Sequence, residues 1–464
     1  MGAASAYTYS VLYSFCSSAN CTDGELPQAG LIQDAEGNLF GTTTAGGGNS
    51  NSSCGSNGCG TVFKLDNTGH ETVLYSFCSA PNCTDGAAPQ AGLIQDGAGN
   101  LYGTTAGGGN SYNFCPSNGC GTVFKVDNTG HETVLYTFCS STVEGSPCLD
   151  GDDPTAGLLR DAAGNLYGTT YYGGANNGGT VFKVDSTGHE TVLKIFCNLG
   201  SNCVDGTNPQ AGLIQDSAGN LYGTTLNGGS SYYTVGPGTV FKLNNAGYTV
   251  LYSFCPESSY CQDGASPYAG LIQDSAGNLY GTTSSGGAGV VAAQCCSGGT
   301  VFKVDTTGHE TVLYSFCSNA NCTDGEFPQA GLIQDAAGNL YGTTTAGGGN
   351  SNSSCGSNGC GTVFKLDNAG HETVLYSFCA APNCTDGAVP KAGLIQDDAG
   401  NLYGTTSVGG ANINGGTVFK ITLPASFKLN CQPSLVISVF TAGSHHFMCI
   451  GKIACEGTLR VEST

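Results

Sequence analysis

Apolar residues in this chain fall in short, regularly spaced runs. Between residues 8 and 422, runs of Val, Ile, Leu, Phe, Tyr and Thr alternate with stretches of Gly, Asn, Asp and Ser. One cycle reads GLIQD (30–34), NLFGTTT (38–44), GTVFKLD (60–66) and ETVLYSF (71–77). Their length and their β-branched and aromatic content predict four strands, a, b, c and d. AEGN joins a to b and NTGH joins c to d. Both are four-residue connections with Gly where positive φ is wanted, which predicts hairpins. The b–c and d–a connections are long. The runs are almost continuously apolar rather than alternating, so both faces of the sheets are expected to be buried.

The cycle recurs, its AGLIQD-like core beginning at Ala29, Ala91, Ala156, Ala211, Ala269, Ala330 and Ala392. A repeat that buries its apolar surface only against its neighbours builds either an open solenoid or a closed ring. The chain opens on YTYSVLYSF (7–15), a d strand with no a, b or c before it, and the last repeat stops at GTVFKIT (416–422), a c strand with no d after it. Each end supplies what the other lacks. The predicted fold is therefore all-β, a seven-bladed β-propeller over residues 8–422 with four-stranded antiparallel blades, closed by the N-terminal strand completing the last blade. Residues 1–7 are read as a leader remnant. The tail, 423–464, holds one strand-like run, SLVISVF, and the metal-capable His445, His446, Cys449 and Cys455. With a innermost, the a–b and c–d turns share one face of the disc and the long loops the other.

Composition narrows the partners. With 34 Asp and Glu against 13 Lys and Arg, the formal net charge is −21, which repels phosphate backbones and anionic membranes. No run of eighteen apolar residues is present, so no membrane span is expected. The 25 cysteines fall mostly in close pairs, Cys16–Cys21, Cys78–Cys83, Cys139–Cys148, Cys197–Cys203, Cys255–Cys261, Cys317–Cys322 and Cys379–Cys384 in the d–a loops, with Cys54–Cys59, Cys115–Cys120 and Cys355–Cys360 in b–c loops. The d–a pairs persist in repeats whose b–c loop has no cysteine, which favours local disulfides, an oxidising compartment and a secreted or cell-surface location. MGAASAYTYS lacks the basic and apolar segments of a signal peptide, so a leader is expected to have been removed or replaced. Zinc is the rival reading, disfavoured because metal ribbons usually show C-x2-C spacing with further Cys or His ligands nearby, which these loops lack. Cys295, Cys296, Cys431, Cys449 and Cys455 are left unassigned.

Every d–a loop carries D-G-x-x-P, at Asp23, Asp85, Asp150, Asp205, Asp263, Asp324 and Asp386. Asx-turn chemistry explains the motif; the functional alternative sets seven carboxylates around the channel mouth, to hold Ca2+ or meet sugar hydroxyls. The aspartates of IQD (Asp34, Asp96, Asp161, Asp216, Asp274, Asp335 and Asp397) read as turn residues, and His70, His131, His189, His309 and His371 as hairpin histidines, since no second His follows at the zincin spacing. The AGGG runs lack the GK[ST] of a phosphate cradle. The sequons at Asn20, Asn51, Asn82, Asn321, Asn352 and Asn383 read as chance features of Asn- and Ser-rich loops.

Repeat 3 departs from the others: CSSTVEGSPCLDGDDP adds Glu144, Asp152 and Asp153, Arg160 replaces the usual Gln, and the b–c loop starts with Tyr171 and Tyr172. Carboxylates, a cation and tyrosines on one face would suit a hydrolase or lyase acting on polysaccharide. Repeats 1–2 and 6–7 are otherwise near copies, and seven equal environments suit an enzyme poorly. The leading expectation is a secreted, disulfide-stapled module binding a glycan or other extracellular polymer multivalently, needing no cofactor beyond, at most, Ca2+. The alternatives are a structural, self-associating surface protein and the repeat-3 enzyme.

AGLIQDAAGNLYGTTTAGG followed by GTVFKLDNTGHETVLYSF resembles the GloVer tandem repeat of bacterial secreted and surface proteins described as choice-of-anchor, over about residues 8 to 422. The resemblance implies an exported protein held at the cell surface by a variable C-terminal signal, with no biochemical activity to carry over. This chain differs in its cysteine-rich loops and in a tail without an apolar anchor followed by basic residues.

Overall fold

Each cycle folds into one four-stranded antiparallel sheet, ordered a-b-c-d from the axis outward. In blade 1 the strands are Ile32–Gln33, Leu39–Thr43, Thr61–Leu65 and Glu71–Ser76. Five further blades repeat this order, and the seventh sheet takes its d strand from the other end of the chain. There Thr8–Ser14 lies antiparallel to Thr417–Thr422, from Thr8 opposite Thr422 to Ser14 opposite Thr417. The fold is thus the expected seven-bladed propeller. This computed structural model describes residues 7–49, 54, 58–109, 115, 119–140, 148–198, 202–230, 236–256, 261–288, 298–350, 355, 359–412, 415–422, 438–442 and 445–449. Tyr7–Leu423 form one compact unit. In the second unit, Ser438–Ala442 and His445–Cys449 pair as an antiparallel hairpin.

The sequence signature GNLYGTT can be read residue by residue. The Leu is buried. The Tyr hydroxyl donates to the IQD aspartate, as Tyr102 does to Asp96 at 3.0 Å. The Gly leaves room for the Phe of GTVFK; a Cβ on Gly41 would stand 2.7 Å from the Phe63 ring. The first Thr donates to the next blade, Thr42 to Ala91 O at 3.0 Å, and the series closes where Thr405 of blade 7 donates to Ala29 O at 3.1 Å. The second Thr ties strand b to strand c, Thr43 to Thr61 at 2.8 Å. Edge-to-face phenylalanine pairs also bridge blades, Phe15 on Phe63 at 4.9 Å and Phe77 on Phe124 at 5.0 Å among them. Such pairs contribute roughly 0.5–1.5 kcal/mol each beyond area burial.

Strand a is two residues long rather than the five expected, because the inner strands converge on the axis at the Gly that follows the alanine. A Cβ on Gly92 would lie 3.2 Å from Gly30 O, and one on Gly212 3.0 Å from Gly157 O. Backbone meets backbone there, and only the two residues beyond remain alongside strand b.

All ten expected disulfides are present, each within its own loop. Backbone hydrogen bonds pin the same loops. The residue before the proline of D-G-x-x-P takes a left-handed conformation in every repeat, even as Phe327 and Val389. That turns its N–H onto the preceding blade, Val389 N donating to Cys360 O at 2.8 Å. A β-branched residue holds such a φ only when its surroundings enforce it.

Candidate functional site

Three clefts on the turn face, each between neighbouring blades, are built from equivalent residues. The cleft between blades 7 and 1 has a volume of about 940 Å³, that between blades 4 and 5 about 550 Å³, and that between blades 1 and 2 about 460 Å³. Each has a leucine of strand d (Leu12, Leu251 or Leu74) and a leucine of the next strand b (Leu39, Leu279 or Leu101). Each also contains a lysine of strand c held over an aromatic ring of strand b: Lys420 over Tyr403 at 5.2 Å, Lys242 over Tyr222 at 5.4 Å and Lys64 over Phe40 at 5.8 Å. The rim carries the IQD aspartates of both blades, a c–d turn aspartate and a Gln.

Turn chemistry favours the ionised form of several of those carboxylates, Asp96, Asp216, Asp274 and Asp397 among them. Asp96 Oδ1 accepts from Ala98 N and Asn100 N, and Oδ2 from Asn100 Nδ2 and the Tyr102 hydroxyl. Although burial opposes it, this donor set brings the Asp96 carboxyl down to about 2. Asp66 accepts from Thr68 N, Thr68 Oγ1 and His70 N, and its carboxyl is likewise lowered. The hairpin histidines are exposed on this face. Turn residues by local chemistry thus become cleft residues by topology, a double role that repeat spacing alone does not reveal.

The D-G-x-x-P aspartates lie elsewhere than at the channel mouth. Each is held beside the outermost strand by its own loop: Asp85 Oδ2 accepts from the Tyr75 hydroxyl, Ser79 N and Ser79 Oγ, and Oδ1 from Ala80 N. Asp23, Asp150, Asp263, Asp324 and Asp386 accept from the matching tyrosines Tyr13, Tyr136, Tyr252, Tyr314 and Tyr376. At Asp205 the tyrosine is replaced by Lys194, which forms a 2.6 Å ion pair. Where both oxygens are so engaged, as at Asp85, the carboxylate does not fit the open oxygen cage that Ca2+ takes.

A glutamate of the next blade adds to five of these junctions. Burial first, and then the junction aspartate, push the carboxyls of Glu71, Glu132, Glu190 and Glu372 up to about 7 and that of Glu310 to about 8. One oxygen of each, Oε1, is buried without a hydrogen-bond partner. The sixth and seventh junctions carry tyrosines instead: Tyr248 donates to Asp205 O at 2.6 Å and Tyr9 to Asp386 O.

Repeat 3 divides between the two faces. Asp152 and Asp153 precede strand a on the loop face, where burial raises their carboxyls to about 7 and 6, Asp153 adding to the shift at Asp152. Tyr171 and Tyr172 meet edge to face at 4.5 Å, and Asp152 pairs with Tyr172 through two backbone hydrogen bonds. The Asp153 charge also reaches Tyr171 and Tyr268, and Tyr268 accepts from Gln210 Nε2 at 2.6 Å. Arg160 does not join them. It ends strand a on the turn face, over the Tyr102 ring at 5.7 Å and beside Gly164, since one strand length separates it from Asp153. Glu144 lies outside the described residues, as do Cys295, Cys296, Cys431 and Cys455, while Asn20, Asn82, Asn321 and Asn383 are exposed loop residues.

A closed ring of seven blades with interblade clefts defines a propeller built from near-identical repeats. The chain belongs to the Gloeobacter/Verrucomicrobia repeat family, whose model matches residues 3–150, 142–355 and 262–432. No curated protein matches it. Among solved structures it is similar to a luciferin-regenerating enzyme (11% identity, 90% of this chain and 95% of that one, TM-score 0.40). It is also similar to a puromycin hydrolase (11%, 87% and 53%, TM-score 0.46) and an α-L-arabinofuranosidase from Clostridium thermocellum (15%, 61% and 91%, TM-score 0.30). None of these likenesses carries an argument about the chemistry of this chain.

Proposed function

We propose that the protein is a secreted, multivalent binding module for a neutral glycan or similar extracellular polymer, engaged through the turn-face clefts. The observation that carries this reading is the repetition of one cleft, with equivalent carboxylates, amide, lysine and apolar floor, at three interblade positions. Carboxylates and a Gln amide match sugar hydroxyls, the aromatic and leucine surfaces match the C–H faces of a pyranose, and net negative charge excludes polyanions. Equivalent weak sites on one rigid disc gain avidity of roughly 10²–10⁴ over a single site.

The test is co-sedimentation with insoluble polysaccharides, with and without a chelator, comparing the native protein with the Gln33→Ala, Gln95→Ala, Gln273→Ala triple variant. Retention that survives chelation and drops more for polymer than for a short oligosaccharide in the variant supports the reading. No retention on any polymer, or unchanged retention in the variant, refutes it. The adjoining Asp152, Asp153, Tyr171 and Tyr268 favour a second reading, hydrolysis at the loop face; soluble sugars that disappear in Asp153→Asn would establish it instead.

A further inference from the structure

The two cysteine-bearing loops of a blade meet in space although 18 residues separate their pairs in sequence. The four Sγ atoms of Cys54, Cys59, Cys78 and Cys83 all lie within 4.8 Å of one another, as do those of Cys115, Cys120, Cys139 and Cys148, and those of Cys355, Cys360 and Cys384; Cys379 is the disulfide partner of Cys384. The objection that each loop lacks further ligands therefore fails once the chain is folded. Two thiolates on one tetrahedral Zn2+, at a Zn–S distance of about 2.3 Å, stand about 3.8 Å apart. Cys120 Sγ and Cys148 Sγ, which belong to different disulfides, are 3.8 Å apart.

Backbone hydrogen bonds hold these loops beside the disulfides. Cys59 O accepts from Ala88 N at 2.7 Å, and Cys83 O from Gly86 N at 2.9 Å and Gly109 N at 2.8 Å. In the second cluster Cys120 O accepts from Asp153 N at 3.1 Å and Cys148 O from Gly174 N at 2.8 Å. Opening the S–S bonds would leave four thiols facing one another on a fixed frame. The pair Cys255–Cys261 is the internal control, since among the described residues its cluster holds those two cysteines and Ala265 and no second cysteine pair.

We propose that each four-cysteine cluster is a tetrathiolate site for Zn2+ in the reduced chain, which oxidation converts into two disulfide staples with release of the metal. The step balances: the Zn2+ tetrathiolate, two molecules of a disulfide oxidant and four protons give two protein disulfides, four oxidant thiols and free Zn2+. Held on one ion, the right cysteines are together before oxidation begins, in a chain with many wrong pairings open to it.

The experiment reduces the whole protein with a phosphine under anaerobic conditions, removes the reductant and titrates with Co2+, then Zn2+. The expected result is the thiolate-to-cobalt absorption of tetrahedral sites, displaced by Zn2+ and falling by one metal equivalent each in Cys59→Ser, Cys120→Ser and Cys360→Ser, while Cys261→Ser loses none. Absence of that absorption in a reduced protein that keeps its sheet signal overturns the proposal. So does an equal loss in Cys261→Ser, or a reduced chain that loses its sheet signal and does not regain it with Zn2+.

Discussion

At the junction between blades 1 and 2, Tyr75, Asp85 and Glu132 come together; between blades 3 and 4 the same three places hold Lys194, Asp205 and Tyr248. Both arrangements keep an aspartate buried beside the outer strand. The first adds a second carboxyl, which avoids a doubled negative charge by binding a proton near neutrality. The second supplies a cation and removes the glutamate. The lysine and the tyrosine occur together here, whereas the Asp386 junction carries Tyr9 in the glutamate's place and keeps Tyr376 on the aspartate, so the glutamate can be replaced without a cation being added.

The sharpest way to break the comparison is Lys194→Ala. It leaves Asp205, 3% exposed, as a buried anion without its partner, and the expected loss is about 3–5 kcal/mol in chemical denaturation; a loss under about 1 kcal/mol would show that water or loop donors suffice. Next in size is the pH dependence of the glutamate junctions. Their folded carboxyls titrate near 7 to 8 against an ordinary 4.5, so between those values the fold holds more protons than the unfolded chain. The stabilisation is fully present below about pH 4.5 and is lost as pH rises through 7 to 8. The depressed Asp96 acts oppositely, its contribution being lost as pH falls through about 2. Thermal midpoints should therefore decline from mildly acidic to mildly alkaline pH, and replacing Glu71, Glu132, Glu190, Glu310 and Glu372 by Gln should flatten that decline; an unchanged slope would place its origin elsewhere. The smallest effect is expected of Tyr9→Phe, which removes one hydrogen bond to the Asp386 carbonyl but retains the ring stacked on Tyr376 at 3.8 Å. About 1 kcal/mol should be lost, with no change in pH slope.

Much of this architecture is legible in the sequence because a repeat states its rule seven times. The unmatched d strand at residues 7–15 and the unmatched c strand at 416–422 are enough to close the ring. The intraloop disulfides follow from cysteine pairs that persist when the other loop has none. What local reading misses depends on the neighbouring blade. Glu132 meets Asp85 only because the outer strand of one blade reaches the loop before it, and no spacing within a repeat encodes that. For the D-G-x-x-P aspartates the alternative to turn chemistry sets them at the channel mouth, but in six of the seven repeats their hydrogen-bond partner is a tyrosine on strand d, which draws them outward. Arg160 and Asp153 are seven residues apart in sequence, and the intervening strand carries them to opposite faces.

The closing strand also decides how the molecule answers to force. Because Thr8 lies opposite Thr422, the chain leaves the last blade from both strands at the same end of their ladder. A load drawn between residues 7 and 423 acts across that ladder one hydrogen bond at a time, as on a zip, rather than along it on all bonds together. The ring is fastened by its most separated residues, yet under tension it would open where the two chain ends depart, well before any internal blade is strained.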